Sequence, residues 1–455
     1  MSALKAKAVV PRFAQVKFVF DPLIIGYSGV GLLFLFLALG IPVAVAMGVV
    51  GIVGMYFGVS EFFLIGQLRS LPFATVSSYG LAVLPLFVLL GVIAEASGIT
   101  TDVFKAADIW LRRLRGGLYQ ATIVGSAVFS AISGSTLVNA LVFTRIAFPK
   151  MMDLGYSKSL SLGAIAGAGS FAAMIPPSIT MVIYAIMTEQ SVGQLLMAGL
   201  IPGVITAAVY LTGINLLVRI NPKLAPTKAK PTVWKEKRRA LGKIWPIILL
   251  IFLVLGGIYF GIFPPSAAGA AGAFGALLFG AYRMKGLRRW LPAALQDAAF
   301  ISSIMFMILV GGLLLSRMLV ATGVIDHMVD AITSVADTPL KFMILASILY
   351  LILGCFLDTT SMMVVTLPFL FPTVVALDIN PIWFGIVLVK LIEISVITPP
   401  VGFNIFAVMS AVKGQATFGD VYKGVLPFIV LDLIVLALLI MFPQLATWLP
   451  ETMIR

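Results

Sequence analysis

The sequence predicts an all-α polytopic membrane protein made of two inverted-topology repeats, each with a re-entrant helical hairpin and a broken helix. Three observations carry this reading. The chain has 455 residues, of which 61% are hydrophobic and 11% charged, with a mean hydropathy of +1.11. Soluble domains do not reach these values, and apolar runs such as 247–263 and 428–442 approach spanning length. Next, two stretches match at a spacing of about 223 residues: Phe148-Pro149 and Ile175-Pro176-Pro177 return as Phe371-Pro372 and Thr398-Pro399-Pro400. Ala96 to Ile99 and Gly199 to Pro202 return in the same order as Ala321 to Val324 and Gly424 to Pro427. Duplicated membrane units with interrupted helices at matching places are the pattern of secondary transporters. Finally, the basic residues gather in short links, and their bias alternates between the two halves.

The elements follow in chain order. Residues 1–22 form a basic leader with Lys5, Lys7, Arg12 and Lys17; without a long apolar core it does not make a signal peptide. Repeat one spans 23–217, with apolar helices near 23–40, 41–58 and 75–97, hairpin 1 near 118–150, a broken helix at 160–187 and a helix at 197–217. A basic connector, 218–245, follows. Repeat two spans 246–446, with helices near 246–262, 265–282 and 299–320, hairpin 2 near 341–372, a broken helix at 382–410 and a helix at 424–442. The tail is 447–455. Both hairpins carry small and polar residues at mid-depth, where irregular backbone survives only inside protein or along a cavity. In the second repeat, Gly269, Gly272 and Gly275 form a close-packing helix face.

Charge sets the expected orientation. The link after 75–97 holds Lys105, Arg112, Arg113 and Arg115; its counterpart after 299–320 holds Asp326, Asp330 and Asp337, with only Lys341 positive. The positive-inside rule puts the first link and the connector in the cytoplasm and the second link outside. Threading back from 61–70 then leaves the N-terminus outside although its leader is basic. Either the leader lies along the interface or the first two helices are miscounted.

Composition also excludes. The net charge of +13 lies in short loops between apolar segments, which points to a lipid bilayer and not to nucleic acid. Cys355 and His327 are each alone, which removes disulfide frameworks, transition-metal sites and catalytic triads. An intramembrane enzyme would need a catalytic pair, so no enzyme is expected. The chain has no P-loop for ATP.

The polar residues at depth carry the chemistry. Ser130, Ser133, Gly134, Ser135, Thr136 and Asn139 interrupt hairpin 1, and Asp358, Thr359, Thr360 and Ser361 interrupt hairpin 2. Each cluster has a Pro-Pro partner about 40 residues on: Pro176-Pro177 followed by Ser178, and Thr398-Pro399-Pro400 followed by Gly402 and Asn404. Consecutive prolines remove two backbone donors and leave carbonyls to be satisfied otherwise. Carbonyl and hydroxyl oxygens suit a hard cation such as Na⁺, and half-helix N-termini suit a substrate anion. Hairpin tip plus unwound loop in each repeat predicts at least two Na⁺ sites around one substrate cavity. Thr136, Asn139, Ser178, Ser361, Gly402 and Asn404 are expected to face the substrate. The packing of small residues is the competing explanation. Arg145, Arg317, Asp358, Lys390, Glu393 and Asp432 are further candidates because charge at depth is costly. Lys390 and Glu393 lie one turn apart and can pair; Arg145 either holds a substrate carboxylate or snorkels to the surface.

The stretches Pro85 to Gly91, Ile132-Ser-Gly-Ser-Thr136, Ile175-Pro-Pro-Ser-Ile179, Leu357 to Met363 and Glu393 to Asn404 resemble the large membrane subunit of tripartite ATP-independent periplasmic (TRAP) transporters, over about residues 30–445. The resemblance implies Na⁺-coupled uptake of an organic acid anion, carboxylate or sialic-acid-like, across a bacterial inner membrane by an elevator motion. It implies a small membrane subunit (Q) and a soluble periplasmic substrate-binding protein (P) as partners. By the family pattern Ser133, Gly134, Ser135, Pro176 and Pro177 fall at one Na⁺ site. Asp358, Thr359, Thr360, Thr398, Pro399 and Pro400 fall at the other. The chain departs from the pattern at Ala267, where many members are acidic, and at Ser361, where many carry proline. The alternative is a Na⁺/carboxylate symporter of similar architecture that needs no binding protein.

Overall fold

The computed structural model describes residues 21–226, 233–283, 287–354 and 357–453, all helical or connecting. Most of the predicted leader, part of the connector, Cys355 and the last two residues lie outside these ranges. The first half opens with α1 (Pro22–Ala38), α2 (Val43–Gly58) and α3 (Glu61–Val76), then α4 (Val83–Ala96) and α5 (Ile99–Leu111). It continues with α6 (Gly117–Ser133), α7 (Thr136–Asp153), α8 (Lys158–Gly169), α9 (Phe171–Met174), α10 (Ile179–Met187) and α11 (Val192–Ile220).

The second half begins with α12 (Trp234–Ile251), a π-helical stretch and α13 (Gly257–Tyr259), then α14 (Pro265–Arg283) and α15 (Leu287–Ala321). There follow α16 (Val324–Val335), α17 (Pro339–Leu353), α18 (Thr359–Ala376), α19 (Pro381–Ser395), α20 (Phe403–Val412), α21 (Phe418–Met441) and α22 (Gln444–Glu451). Among the described residues, seven helical spans are long and apolar enough to cross a bilayer, or eight if α16 and α17, which meet at 114°, count as one.

The order α4 to α11 recurs as α15 to α21. Gly98 and Gly323 start α5 and α16 with φ of 71° and 75°, a left-handed conformation that glycine adopts without a Cβ penalty. Where the two hairpins are expected, consecutive helices fold back on each other. In the first, Phe143 packs on Gly125 and Asn139 bonds Ser126, so α6 and α7 fold back on each other about Gly134. In the second, Tyr350 bonds Thr366 across the α17–α18 turn. Both Pro-Pro bonds, Pro176-Pro177 and Pro399-Pro400, are cis.

The halves interlock through their N-terminal helices. α2 packs along α15, and α14 packs along α4. Small residues permit both approaches: a Cβ on Gly51 would lie 2.7 Å from the backbone of Leu314, and Gly272 fits between Val254 and Leu90. The expected glycine face of α14 therefore packs as predicted.

Several sequence-based bounds change. The links 61–70, 102–117 and 325–341 hold helices α3, α5 and α16, the helix near 299–320 begins at Leu287, and the tail holds α22. The connector is helical from Trp234 onward. Charged residues do not end a helix when one side of it stays wet: α5 buries Ile99, Val103, Phe104 and Ala107 while Lys105 is exposed, an amphipathic stripe. Asp108 on that helix accepts from Arg112 and Lys150, both at 2.7 Å, and Asp102 pairs with Arg283 of α14.

Candidate functional site

Hairpin 1 meets the first Pro-Pro loop directly. Gly134 ends α6 at φ 61°, and a Cβ there would lie 3.0 Å from the Pro177 carbonyl oxygen and 3.6 Å from the Ile179 amide nitrogen. Ser135 caps α7, accepting from Val138 N–H at 3.5 Å. Ser178 caps α10, accepting from Met181 N–H at 3.3 Å and donating to the Ala173 carbonyl. Two half-helix N-termini thus start beside one loop, where their free N–H groups favour an anion. Ser133 Oγ is buried there with no hydrogen-bond partner. On the other side, Gly91 of α4 lies against the Ser133 carbonyl, 2.8 Å from where a Cβ would sit.

Hairpin 2 repeats this plan with a charge. Asp358 occupies the position matching Ser135 and caps α18, accepting from Thr360 N–H at 3.1 Å, from Ser361 N–H at 3.3 Å and from the Ser361 hydroxyl. Such a cap contributes about 1 kcal/mol. Asp358, Thr359 and Thr360 are half-buried and Ser361 is buried. Gly354 abuts Ser395 at the end of α19 so closely that a Cβ would lie 2.0 Å from the serine Cβ. Beyond Ser395, Thr398 donates back to the Ile394 carbonyl at 2.6 Å, and Tyr422 donates to the Pro400 carbonyl. Gly402 starts α20 at φ 55°.

The two arrangements touch. Asn404, fully buried at the start of α20, donates through Nδ2 to the Ala166 carbonyl of α8 at 3.2 Å, and its Oδ1 has no hydrogen-bond partner. Ser126 of hairpin 1 donates to the Ala168 carbonyl of the same helix at 2.7 Å. Buried polar atoms without partners are rare in proteins and call for an explanation. Ser133 Oγ and Asn404 Oδ1 are two such oxygens, one beside each unwound loop, and oxygen donors fit Na⁺.

The expected residues do not all turn the same way. Asn139 spends its amide inside hairpin 1, its Oδ1 2.9 Å from the Ser126 hydroxyl and its Nδ2 donating to Ser130 at 2.7 Å. Thr136 is half-buried at the first turn of α7, and Arg145 is exposed on that helix. Sequence reasoning missed the caps. Ser135 and Asp358 each precede a helix across a two-repeat match, which was the available signal.

Residues 30–445 match the family model "Tripartite ATP-independent periplasmic transporter, DctM component". The C4-dicarboxylate TRAP transporter large permease protein DctM of Vibrio cholerae is 29% identical over 435 residues, covering 90% of this chain and 94% of that protein. The isethionate TRAP transporter permease protein DctMQ of Oleidesulfovibrio alaskensis is 29% identical over 429 residues, covering 91% of this chain and 64% of that protein. Among solved structures, the YdaH transporter of Alcanivorax borkumensis superposes with a TM-score of 0.61 at 12% identity, over 93% of this chain and 98% of that one.

Proposed function

Because this chain belongs to the DctM family of tripartite ATP-independent periplasmic transporters, a family of bacterial inner-membrane permeases and not of enzymes, we propose that it carries an organic acid anion inward on a Na⁺ gradient. The observation that supports this best is the meeting of Gly134 with the Pro177 carbonyl beside the unpartnered Ser133 Oγ. Na⁺ would be held by Ser133, Gly134, Ser135 and the Pro176-Pro177 loop at one site. Asp358, Thr359, Thr360 and the Thr398-Pro399-Pro400 loop would hold it at the other. The cation supplies charge and coordination; the chain supplies carbonyl and hydroxyl oxygens in place of water. Helix N-termini at Ser135, Ser178 and Gly402, with Thr136 and Ser361, would face the carboxylate.

The hairpins and broken helices would travel together against the scaffold of α1–α4 and α12–α15. A Q subunit and a periplasmic binding protein would complete the system; the isethionate relative, longer than this chain, is named DctMQ.

Uptake by the reconstituted system should follow an inward Na⁺ gradient. Asp358→Asn keeps a good helix cap but removes the charge, so the Na⁺ concentration for half-maximal uptake should rise several-fold with little change in folding. Uptake that persists when K⁺ replaces Na⁺, without a proton requirement, would sink the coupling. Wild-type Na⁺ dependence in Asp358→Asn would remove Asp358 from the second site.

The two halves would run in opposite directions through the membrane, as the alternating charge bias requires. Impermeant thiol labelling of single-cysteine variants in whole cells should mark Asp337→Cys and spare Lys235→Cys. The reverse pattern would contradict the inversion.

A further inference from the structure

A second polar centre lies apart from both hairpin tips, between α19, α21 and α11. Lys390, Glu393 and Asp432 are each fully buried. Lys390 Nζ donates to Glu393 Oε2 at 2.9 Å, to Asp432 Oδ1 at 2.6 Å and to Thr206 Oγ1 at 3.3 Å. An ammonium has three protons, and these bonds use all of them. Asp432 Oδ2 accepts from the Tyr210 hydroxyl at 2.8 Å. One oxygen of the centre is left: Glu393 Oε1, buried and without a hydrogen-bond partner.

The charges do not cancel. Two carboxylates face one ammonium, so an ionised centre carries one net negative charge away from water. Apart from Asp432, the charged groups on the helices packed against α19 lie elsewhere: Lys341 of α17 pairs with Asp337, Arg219 of α11 and Lys423 of α21 are exposed, and Asp420 caps α21 at Thr417. Tyr184 of α10 donates to the Pro381 carbonyl at 2.7 Å, Tyr350 of α17 bonds Thr366, and Glu451 of α22 is exposed. An uncompensated buried carboxylate is among the costliest groups a fold can hold. A water could donate to Oε1 but would not neutralise it. The first half does not repeat the centre: the positions matching Lys390, Glu393 and Asp432 there are Gly167, Ser170 and Ala207. It is therefore not a by-product of the repeat.

We propose that Glu393 Oε1 binds one monovalent cation, a proton or Na⁺, making the Lys390–Glu393–Asp432 centre a cation site separate from the two hairpin sites. Occupancy brings the centre to neutrality while Lys390 holds both carboxylates in place. Glu393 sits two residues before the end of α19 and five before Thr398, so its occupant bears on the geometry of the second unwound loop.

The test reads the thermal stability of the purified full-length chain in a Na⁺ series at fixed pH and in a pH series at fixed Na⁺. Ligand that binds only the folded state raises the melting temperature with its concentration. If the ligand is Na⁺, the wild type rises more steeply with Na⁺ than Glu393→Gln does. If it is a proton, the wild type loses stability as pH rises, because an uncompensated charge is then left inside, and Glu393→Gln does not. Asp432→Asn removes the same unit of charge from the other side of Lys390 and should lose the same response, which covers failure of the first variant to fold. The difference should persist on an Asp358→Asn background, which separates it from the second hairpin site. Wild-type slopes in both series for both variants, whatever their absolute stability, would overturn the proposal.

Discussion

Lys390→Met should be the most damaging single substitution in the membrane-buried part of this protein. It leaves Glu393 and Asp432 facing each other without the ammonium that bonds both. Breaking one partner out of a buried ion pair costs about 3–5 kcal/mol, a large share of the roughly 5–15 kcal/mol that holds a typical domain together. The expected result is a sharply reduced yield of monodisperse protein and a melting temperature too low to follow in detergent. Lys390→Met combined with Asp432→Asn should recover part of the loss, because one carboxylate no longer opposes the other. Such non-additivity is the signature of groups that share a partner. A Lys390→Met protein that melts like the wild type would show that the centre does not depend on charge compensation.

The second large effect is expected at Gly163. A Cβ at this position of α8 would lie 1.9 Å from the Gly424 carbonyl oxygen and 2.1 Å from its carbonyl carbon, and a Cβ on Gly424 would lie 1.9 Å from the Ser159 oxygen. These are backbone atoms and cannot rotate away, so α8 and α21 must separate. Overpacking of this kind costs about 1–3 kcal/mol and sometimes more. Gly163→Ala should therefore lower the melting temperature clearly. Gly31→Ala and Gly66→Ala form the control, since neither Cβ would meet anything within 4 Å. Within a helix alanine is favoured over glycine by up to about 1 kcal/mol. Opposite signs for the same chemical change at Gly163 and at Gly66 are the result to look for; equal effects would mean that the α8–α21 approach is not tight.

What the sequence reveals here follows from which forces leave a linear trace. Apolar runs and prolines do, so α1, α2, both hairpins and both breaks can be read within a few residues of their observed ends. Helices that carry charged residues leave a weaker trace. α3, α5 and α16 carry Glu61 and Arg69, Lys105 and Asp108, and Asp326 and Asp330, and a reading that tracks hydropathy takes them for links. In α5 and α16 the hydrophobic positions recur every three or four residues, which is the trace that finds them; α3 has no such face. The i,i+3 pairing of Lys390 with Glu393 is legible from spacing, and the structure bears it out. The arrival of Asp432 from 42 residues away and of Tyr210 from the other half is not legible, because only tertiary packing brings α11 and α21 onto α19. Asp358 shows the opposite limit: its place at a hairpin tip is visible in the sequence, while its bonds to Thr360 and Ser361 depend on where the helix starts.

The two halves differ in how they reach from the first membrane surface to the second. In one, α3 and α4 are separate helices with residues 77–82 between them, the last four in a 3-10 turn. In the other, the matching stretch is the single 35-residue helix α15. At 1.5 Å per residue it is about 52 Å long, against about 30 Å of hydrocarbon. A helix of that length, with Pro292 near its start, fits only by leaning, bending or standing proud of the lipid by roughly 20 Å in total. The jointed half can match a thinner or thicker bilayer by changing the angle between its two pieces. Beyond Pro292 the rigid half can answer only by tilting as a unit, carrying with it α2, which lies along its side. Lipid thickness is therefore a mechanical load borne unequally: one half flexes under it, and the other transmits it.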